Sequence, residues 1–83
     1  MLVNKTDKIL VTGATGLLGS YVVRYLLHSG YTNVHSICRE KSDFSLLTNI
    51  HQQINWHNTE ITDILGLEEA IAGATGIIHC AAL

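Results

Sequence analysis

The chain has 83 residues, of which 47% are hydrophobic and 14% are charged, and its formal net charge is −2. These values favour a globular segment over a disordered one, and they exclude the strongly basic surface with which proteins bind nucleic acid or anionic membranes. No apolar run approaches the roughly 20 residues of a membrane span, and the N-terminal residues lack the apolar core of a signal peptide. We therefore expect a cytoplasmic protein.

Strand-like apolar segments alternate with helix-like segments along the chain. The predicted elements are a strand at 8–12, a helix at 17–28, a strand at 34–38, a loop with a short helix that Asp43 would cap, a strand at 54–57, a helix at 64–72 and a strand at 76–81. This alternation is typical of an α/β fold with parallel strands joined by right-handed crossovers. We expect the strand order 3-2-1-4, which is the N-terminal half of a doubly wound sheet.

The two predicted helices carry signals for their packing and their ends. The apolar stripe expected to face the core in the first helix consists of Leu18, Val22, Tyr25 and Leu26. Gly30 and Gly73 follow the two helices, where a glycine in the left-handed region commonly ends a helix. Asp63 is placed to cap the start of the second helix.

The segment 13–19, Gly-Ala-Thr-Gly-Leu-Leu-Gly, connects the first strand to the first helix. Gly13 would allow a tight turn, Gly16 would let a pyrophosphate approach the backbone, and Gly19 would let the helix pack closely. The free N–H groups and the positive end of the helix dipole would then face the phosphates. The same glycines are also compatible with a tight strand-to-helix connection that binds nothing.

Three segments in the same order resemble motifs of the extended short-chain dehydrogenase/reductase family, which includes NAD(P)-dependent epimerases, dehydratases and dihydroflavonol-reductase-like enzymes. They are 12–19 at the first turn, 59–63 (Thr-Glu-Ile-Thr-Asp) after the third strand, and 77–82 (Ile-Ile-His-Cys-Ala-Ala) on the fourth strand. The resemblance implies a Rossmann fold, of which 1–83 would be an incomplete NAD(P)-binding segment. It also implies that the longer protein acts on a carbonyl or alcohol carbon of a nucleotide sugar, a steroid-like molecule or a flavonoid-like molecule.

The tip of the second strand is predicted to select the cofactor. NAD sites place an acidic residue there for the ribose 2′-hydroxyl, whereas NADP sites need a cation for the 2′-phosphate. Arg39 and Lys41 stand at this place and favour NADP, with arginine able to clamp the phosphate and stack on adenine. The alternative is NAD, with Arg39 and Lys41 as solvated charges and Glu40 as the working residue.

Further cofactor contacts follow from the resemblance. Glu60 stands where the family commonly has an aspartate for the adenine amino group, and Thr59 replaces the glycine that usually precedes it. Ile61 would contact adenine, and the small Ala81 and Ala82 would line the path toward the nicotinamide. The complete set of predicted cofactor-binding residues is Gly13, Thr15, Gly16, Leu17, Leu18, Gly19, Arg39, Lys41, Glu60, Ile61, Ala81 and Ala82.

No catalytic residue is predicted within these 83 residues. The family's chemistry uses a Tyr-x-x-x-Lys pair, which does not occur in this sequence. We therefore expect the chain by itself to be inactive, and we interpret His79 as a packed strand histidine. The rival function is a non-catalytic NAD(P)-sensing or scaffold protein on the same fold.

The expected partners are an NAD(P) dinucleotide and a small-molecule substrate, with no nucleic acid and no membrane. Because residues 80–83 read as an uncovered strand, a homo-oligomer is possible. Cys38 and Cys80 are expected to be free thiols, since two strand spacings separate them by about 10 Å. The histidines and cysteines show no metal-binding spacing, so no metal site is predicted.

Overall fold

The computed structural model describes residues 4–39, 42–60 and 62–80. Its elements are β1 (Lys8–Thr12), α1 (Leu17–His28), β2 (Val34–Cys38), two 3₁₀ turns (Ser45–Leu47 and His51–Gln53), β3 (Asn55–Asn58), α2 (Ile64–Ile71) and β4 (Ala74–His79). The four strands form one parallel sheet in the order β3-β2-β1-β4, as predicted. Among the described helices, none has the length and apolar character needed to cross a membrane.

Strand β1 is the centre of the sheet. It pairs with β2 on one side and β4 on the other, and its Leu10 and Val11 are completely buried. The first crossover leads from β1 to β2 and the last leads from β3 back to β4, so right-handed connections place α1 and α2 on opposite faces. The main core lies under α1, where Val23 and Leu26 pack against Val11 and Val34.

Helix α1 has the predicted bounds, but the predicted stripe is partly wrong. Leu18 and Tyr25 are 64% and 70% exposed, whereas Ser20 and Val23 are buried. Apolar side chains occur on two sides of this helix, so periodicity alone does not choose the inner one. The close contact of Gly19 with the preceding turn fixes the rotation instead. Ser20 tolerates burial because its hydroxyl donates to the Leu17 carbonyl oxygen at 2.8 Å.

The caps predicted for the two α-helices are confirmed. The Asp63 carboxylate accepts a hydrogen bond from the Gly66 N–H at 3.1 Å at the start of α2. Gly30 and Gly73 have φ values of +95° and +77° after the two helices. The N-cap of the first 3₁₀ turn is Phe44 rather than the predicted Asp43, whose carboxylate lies one residue earlier and accepts from the Ser45 N–H at 2.9 Å.

Two predicted strands are shifted along the chain. Strand β3 begins and ends one residue later than expected, and β4 occupies 74–79 rather than 76–81. The early start of β4 comes from the pairing of Ala74 with Lys8, beside a register irregularity between Lys8 and Ile9. Cys80 follows the strand, and Ala81 lies outside the described residues.

A histidine pair joins β2 to β3. The ring nitrogens His35 Nδ1 and His57 Nε2 lie 2.8 Å apart, and His35 Nε2 lies 2.6 Å from the Asn33 side-chain oxygen. The Asn33 amide nitrogen donates to the Thr6 carbonyl, which orients the Asn33 oxygen toward His35. Since that oxygen only accepts, His35 carries its proton on Nε2, and neutral His57 donates from Nε2 to His35 Nδ1.

The neutral forms of both histidines are favoured in the folded chain. Burial lowers the pKa of His35, and the nearby charges of Lys8 and His57 lower it further. Burial and Lys8 also lower the pKa of His57, against a smaller opposing effect of Glu69. The unfolded chain therefore binds protons more readily than the folded chain near pH 6.5.

This pair predicts that acid destabilises the chain. A lowered histidine pKa contributes stability above the unfolded value of about 6.5 and loses it as the pH falls toward the folded value. The urea midpoint should therefore fall between pH 7.5 and pH 5.5. His57→Gln should reduce this dependence, whereas His28→Gln, at an exposed position at the end of α1, should retain it. Equal pH dependence in all three proteins would contradict the assignment.

Candidate functional site

Two of the three glycines in the first turn are required by the fold itself. Gly13 has φ +77°, and a Cβ there would overlap the Cys80 carbonyl oxygen. A Cβ on Gly19 would overlap the backbone of Gly13 and Ala14. The tight turn and the close helix packing expected of these two positions are thus explained by contacts inside the chain.

Gly16 has no such internal explanation. Its φ is −82°, which other residues adopt, and a Cβ on it would meet only the Gly13 carbonyl oxygen at 3.5 Å, an ordinary contact. The chain therefore has room for a side chain that the sequence omits. The open space lies at the N-cap of α1, where backbone N–H groups become available.

The N-terminus of α1 is a positive site without a neutralising side chain. Gly16 is the N-cap, no side chain caps it, and the first turn contains no acidic residue. The first intrahelical bond is donated by Ser20 to the Gly16 carbonyl at 2.9 Å. The N–H groups of residues 17–19 precede that bond and have no acceptor within the helix. Such an end attracts anions, phosphates above all.

A cavity of about 500 Å³ opens at the carboxyl ends of the strands, beside this helix start. Its lining residues are Thr12, Gly13, Thr15, Ile37, Cys38, Arg39, Ser42, Thr59, Glu60, Thr62, His79 and Cys80. In open α/β sheets, ligands bind outside the carboxyl ends of strands where the chain order reverses. Here β1 separates β2 from β4, so the cavity lies at that reversal.

The cavity brings together four of the predicted site residues: Gly13, Thr15, Arg39 and Glu60. The other predicted members of the first turn lie at the start of α1 and do not line it, namely Gly16, Leu17, Leu18 and Gly19. The remaining predicted residues fall outside the described part of the chain, namely Lys41, Ile61, Ala81 and Ala82, as does the alternative residue Glu40.

The chain segments after β2 and β3 are joined where they enter the cavity. The Thr59 N–H donates to the Cys38 carbonyl at 3.0 Å, and the Thr59 hydroxyl donates to the Asp63 carboxylate at 3.1 Å. Gly66 makes room for this threonine, because a Cβ there would overlap the Thr59 hydroxyl. The threonine is therefore accommodated in a well-bonded turn, and the exposed Glu60 follows it at the cavity.

His79 is on β4, as expected, but it is exposed rather than packed. Its Nδ1 lies 2.5 Å from the Thr12 hydroxyl, and both side chains line the cavity. Within the described residues, this end of β4 is not covered by another element. The apolar residues around His79 therefore led to a wrong prediction that the His79 side chain is packed. Cys38 and Cys80 are free, as predicted, and burial raises the pKa of the Cys38 thiol.

A second cavity of about 430 Å³ lies between β3 and α2, lined by His57, Asn58, Thr59, Asp63, Leu65, Gly66 and Glu69. It presents two carboxylates and lies away from the start of α1, so it does not suit a phosphate. Within 4–39, 42–60 and 62–80, no group of three histidine, cysteine or acidic side chains is placed to hold a metal ion.

Because Gly19 packs against backbone and Gly16 does not, substitutions at these two positions should lower the free energy of unfolding by different amounts. Gly19→Ala should lower the free energy of unfolding by about 3 kcal/mol or more, because the new methyl group overlaps backbone that cannot move aside. Gly16→Ala should change it by no more than about 1 kcal/mol, since the loss of a favoured N-cap is offset by a less flexible unfolded chain. Urea unfolding of both variants tests this contrast, and equal destabilisation would refute it.

Two proteins of known activity are similar in sequence to this chain. The chain is 34% identical to vestitone reductase of Medicago sativa and 36% identical to UDP-glucose 4-epimerase of Caenorhabditis elegans. These matches cover 89% and 90% of the chain but 24% and 26% of the relatives, so the chain spans about a quarter of their length.

Solved structures share the fold. The crystal structure of gox2253 matches 94% of this chain and 23% of its own chain, with a TM-score of 0.77 and 33% identity. A structure from Burkholderia cenocepacia J2315 covers 96% of this chain and 27% of its own, with a TM-score of 0.76; at 22% identity it shows the fold alone. The model of the NAD dependent epimerase/dehydratase family matches residues 9–83, and the chain belongs to that family.

Proposed function

We propose that residues 1–83 form the N-terminal dinucleotide-binding part of an NAD(P)-dependent oxidoreductase or epimerase. The observation that carries this proposal is Gly16, where the fold leaves room for a side chain beside free backbone N–H groups. No contact inside the chain requires a glycine at this position, but a ligand that approaches the backbone there would require one. The adjoining cavity offers the space for the rest of such a ligand.

The start of α1 and the adjoining cavity suit the two parts of an adenosine diphosphate group. The pyrophosphate would lie on the N–H groups at the start of α1, in the space left open at Gly16. The adenosine would extend toward Arg39 and Glu60, which line the cavity after β2 and β3. Glu60 offers a carboxylate acceptor for an amino group, as expected of the adenine site. Ile61, Ala81 and Ala82 remain proposed contacts from the family resemblance, and Lys41 remains one because of its positive charge.

Arg39 favours NADP over NAD. It is exposed at the end of β2 and lines the cavity, at the position where dinucleotide sites discriminate the ribose 2′-substituent. Its planar guanidinium can bind a phosphate through two parallel hydrogen bonds. NAD remains the alternative if Arg39 acts on the adenine ring alone.

The chemistry of the longer protein is inferred from its relatives and from the cofactor. A nicotinamide supplies hydride transfer, and the protein positions it against a carbonyl or alcohol carbon. The names of the two relatives include a reductase and a sugar epimerase, so both reaction types fit. Since this chain contains no Tyr-x-x-x-Lys pair, its own residues would bind and orient the cofactor rather than move the proton. A downstream pair of this kind would separate an enzyme from a non-catalytic NAD(P) sensor.

The glycine argument predicts that Gly16 variants lose binding while they remain folded. Gly16→Ala should weaken NADP and NAD about tenfold, and Gly16→Val should abolish binding, because the side chain enters the space proposed for the pyrophosphate. Gly76→Ala is the matched control, since its Cβ would meet the Ile9 side chain at 3.4 Å in β4, away from the turn. Calorimetric titration measures all three, and unchanged affinity in Gly16→Val would overturn the proposed site.

The cofactor preference predicts a selective effect of Arg39. Arg39→Ala should weaken NADP about ten- to a hundredfold, the effect of one charged hydrogen-bonding contact, and should leave NAD nearly unchanged. Arg24→Ala is the control, because Arg24 donates to the Leu46 carbonyl oxygen from α1 and does not line the cavity. An equal loss for both cofactors in Arg39→Ala would show that Arg39 does not read the 2′-phosphate.

A further inference from the structure

Ser42 lines the proposed cofactor cavity together with Arg39, although no sequence pattern marks it as a site residue. We infer that Ser42 is a second determinant of NADP selectivity, which positions Arg39 and donates its own hydroxyl proton to the ribose 2′-phosphate. This inference rests on the proposed function, because it assumes that the cavity receives the adenosine end of a dinucleotide.

The first observation is a reciprocal pair of hydrogen bonds. The Arg39 N–H donates to Ser42 Oγ at 2.7 Å, and the Ser42 N–H donates to the Arg39 carbonyl oxygen at 3.0 Å. Both backbone polar groups of Arg39 are thus held by a single residue three positions later. Because the base of the arginine side chain is fixed in this way, less freedom has to be lost when its guanidinium binds a phosphate.

The second observation is the donor capacity left on Ser42. A hydroxyl has one proton to donate and two lone pairs to accept with. The Arg39 N–H uses one lone pair, and none of the described residues accepts the Ser42 proton. The side chain is half-buried and borders the cavity, so this proton is available to an acceptor there. A phosphate oxygen near Arg39 is an acceptor of the required kind.

The carboxylate of the next residue, Asp43, is directed away from the cavity. Asp43 follows Ser42 directly, but its carboxylate accepts the Ser45 N–H and does not line the cavity. This hydrogen bond lowers the pKa of the Asp43 carboxyl group and keeps it ionised while it is directed at the 3₁₀ turn. The two adjacent polar side chains therefore form hydrogen bonds with different groups. Ser42 bonds to the Arg39 backbone, and Asp43 bonds to the Ser45 backbone.

The test uses two probes that differ only in the phosphate of interest, adenosine 2′,5′-bisphosphate and adenosine 5′-monophosphate. Titration of the chain with each probe gives two dissociation constants, and their ratio is the selectivity for the 2′-phosphate. This ratio does not depend on residues beyond the adenosine site. Ser42→Ala should weaken the bisphosphate about tenfold and leave the monophosphate within about twofold. Ser42→Thr should restore the ratio because it retains the hydroxyl. Ser42→Asp should reduce it further, since a carboxylate still accepts the Arg39 N–H but repels the phosphate and competes for the guanidinium.

The outcomes separate this inference from the proposed function. If the unchanged chain binds both probes equally, the proposed NADP preference fails and the role of Ser42 fails with it. If the chain prefers the bisphosphate and Ser42→Ala keeps that preference, the role of Ser42 alone is refuted. An equal loss for both probes in Ser42→Ala would also refute it, because a purely structural residue does not change the ratio. Ser29→Ala, at the far end of α1, is the control and should match the unchanged chain.

Discussion

The arrangement of the site depends on the close approach of three backbone segments at Gly13. The carbonyl of Gly13 lies against Gly19 of α1, while its own Cα faces the carbonyl of Cys80 after β4. No side chain fits at either contact, so β1, α1 and the end of β4 meet with backbone against backbone. This contact brings the N-terminus of α1 to the carboxyl edge of the sheet, where the cavity lies. A wider separation would move the free N–H groups away from it.

The sequence predicted the sheet well because its strands are chemically distinct from their surroundings. The bounds of β1, α1 and β2 agree with prediction, and glycines mark the end of β1 and both ends of α1, at positions 13, 16 and 30. The inner face of α1 was predicted less well. Leucines lie on both the exposed and the buried side of that helix, and the close contact with the preceding turn is made by Gly19 rather than by a large apolar residue. Hydrophobic spacing carries no information about such contacts.

The sequence predicted the parts of the candidate site that the backbone forms. It did not predict the parts that depend on the hydrogen bonds of single side chains. The glycine spacing indicated the turn and its helix. The spacing also assigned Gly13 and Gly19 to internal packing and Gly16 to a ligand, and only the structure shows that Gly13 and Gly19 have close internal contacts while Gly16 has none. Ser42 was missed because the sequence around it carries no such spacing. A serine among charged loop residues is typical of a solvated loop, and only its bonds to Arg39 distinguish it.

The proposed determinants of adenosine recognition belong to one connected unit. Arg39 follows β2 and Glu60 follows β3, and these strands are neighbours in the sheet. The bond from the Thr59 N–H to the Cys38 carbonyl ties the residue before Glu60 to the residue before Arg39. Asp63, which accepts from the Thr59 hydroxyl, also caps α2. Because these bonds form a chain, a displacement of α2 would be transmitted to Glu60 and to the end of β2. The packing of α2 on the sheet is therefore part of what holds the acidic and basic sides of the cavity at a fixed separation.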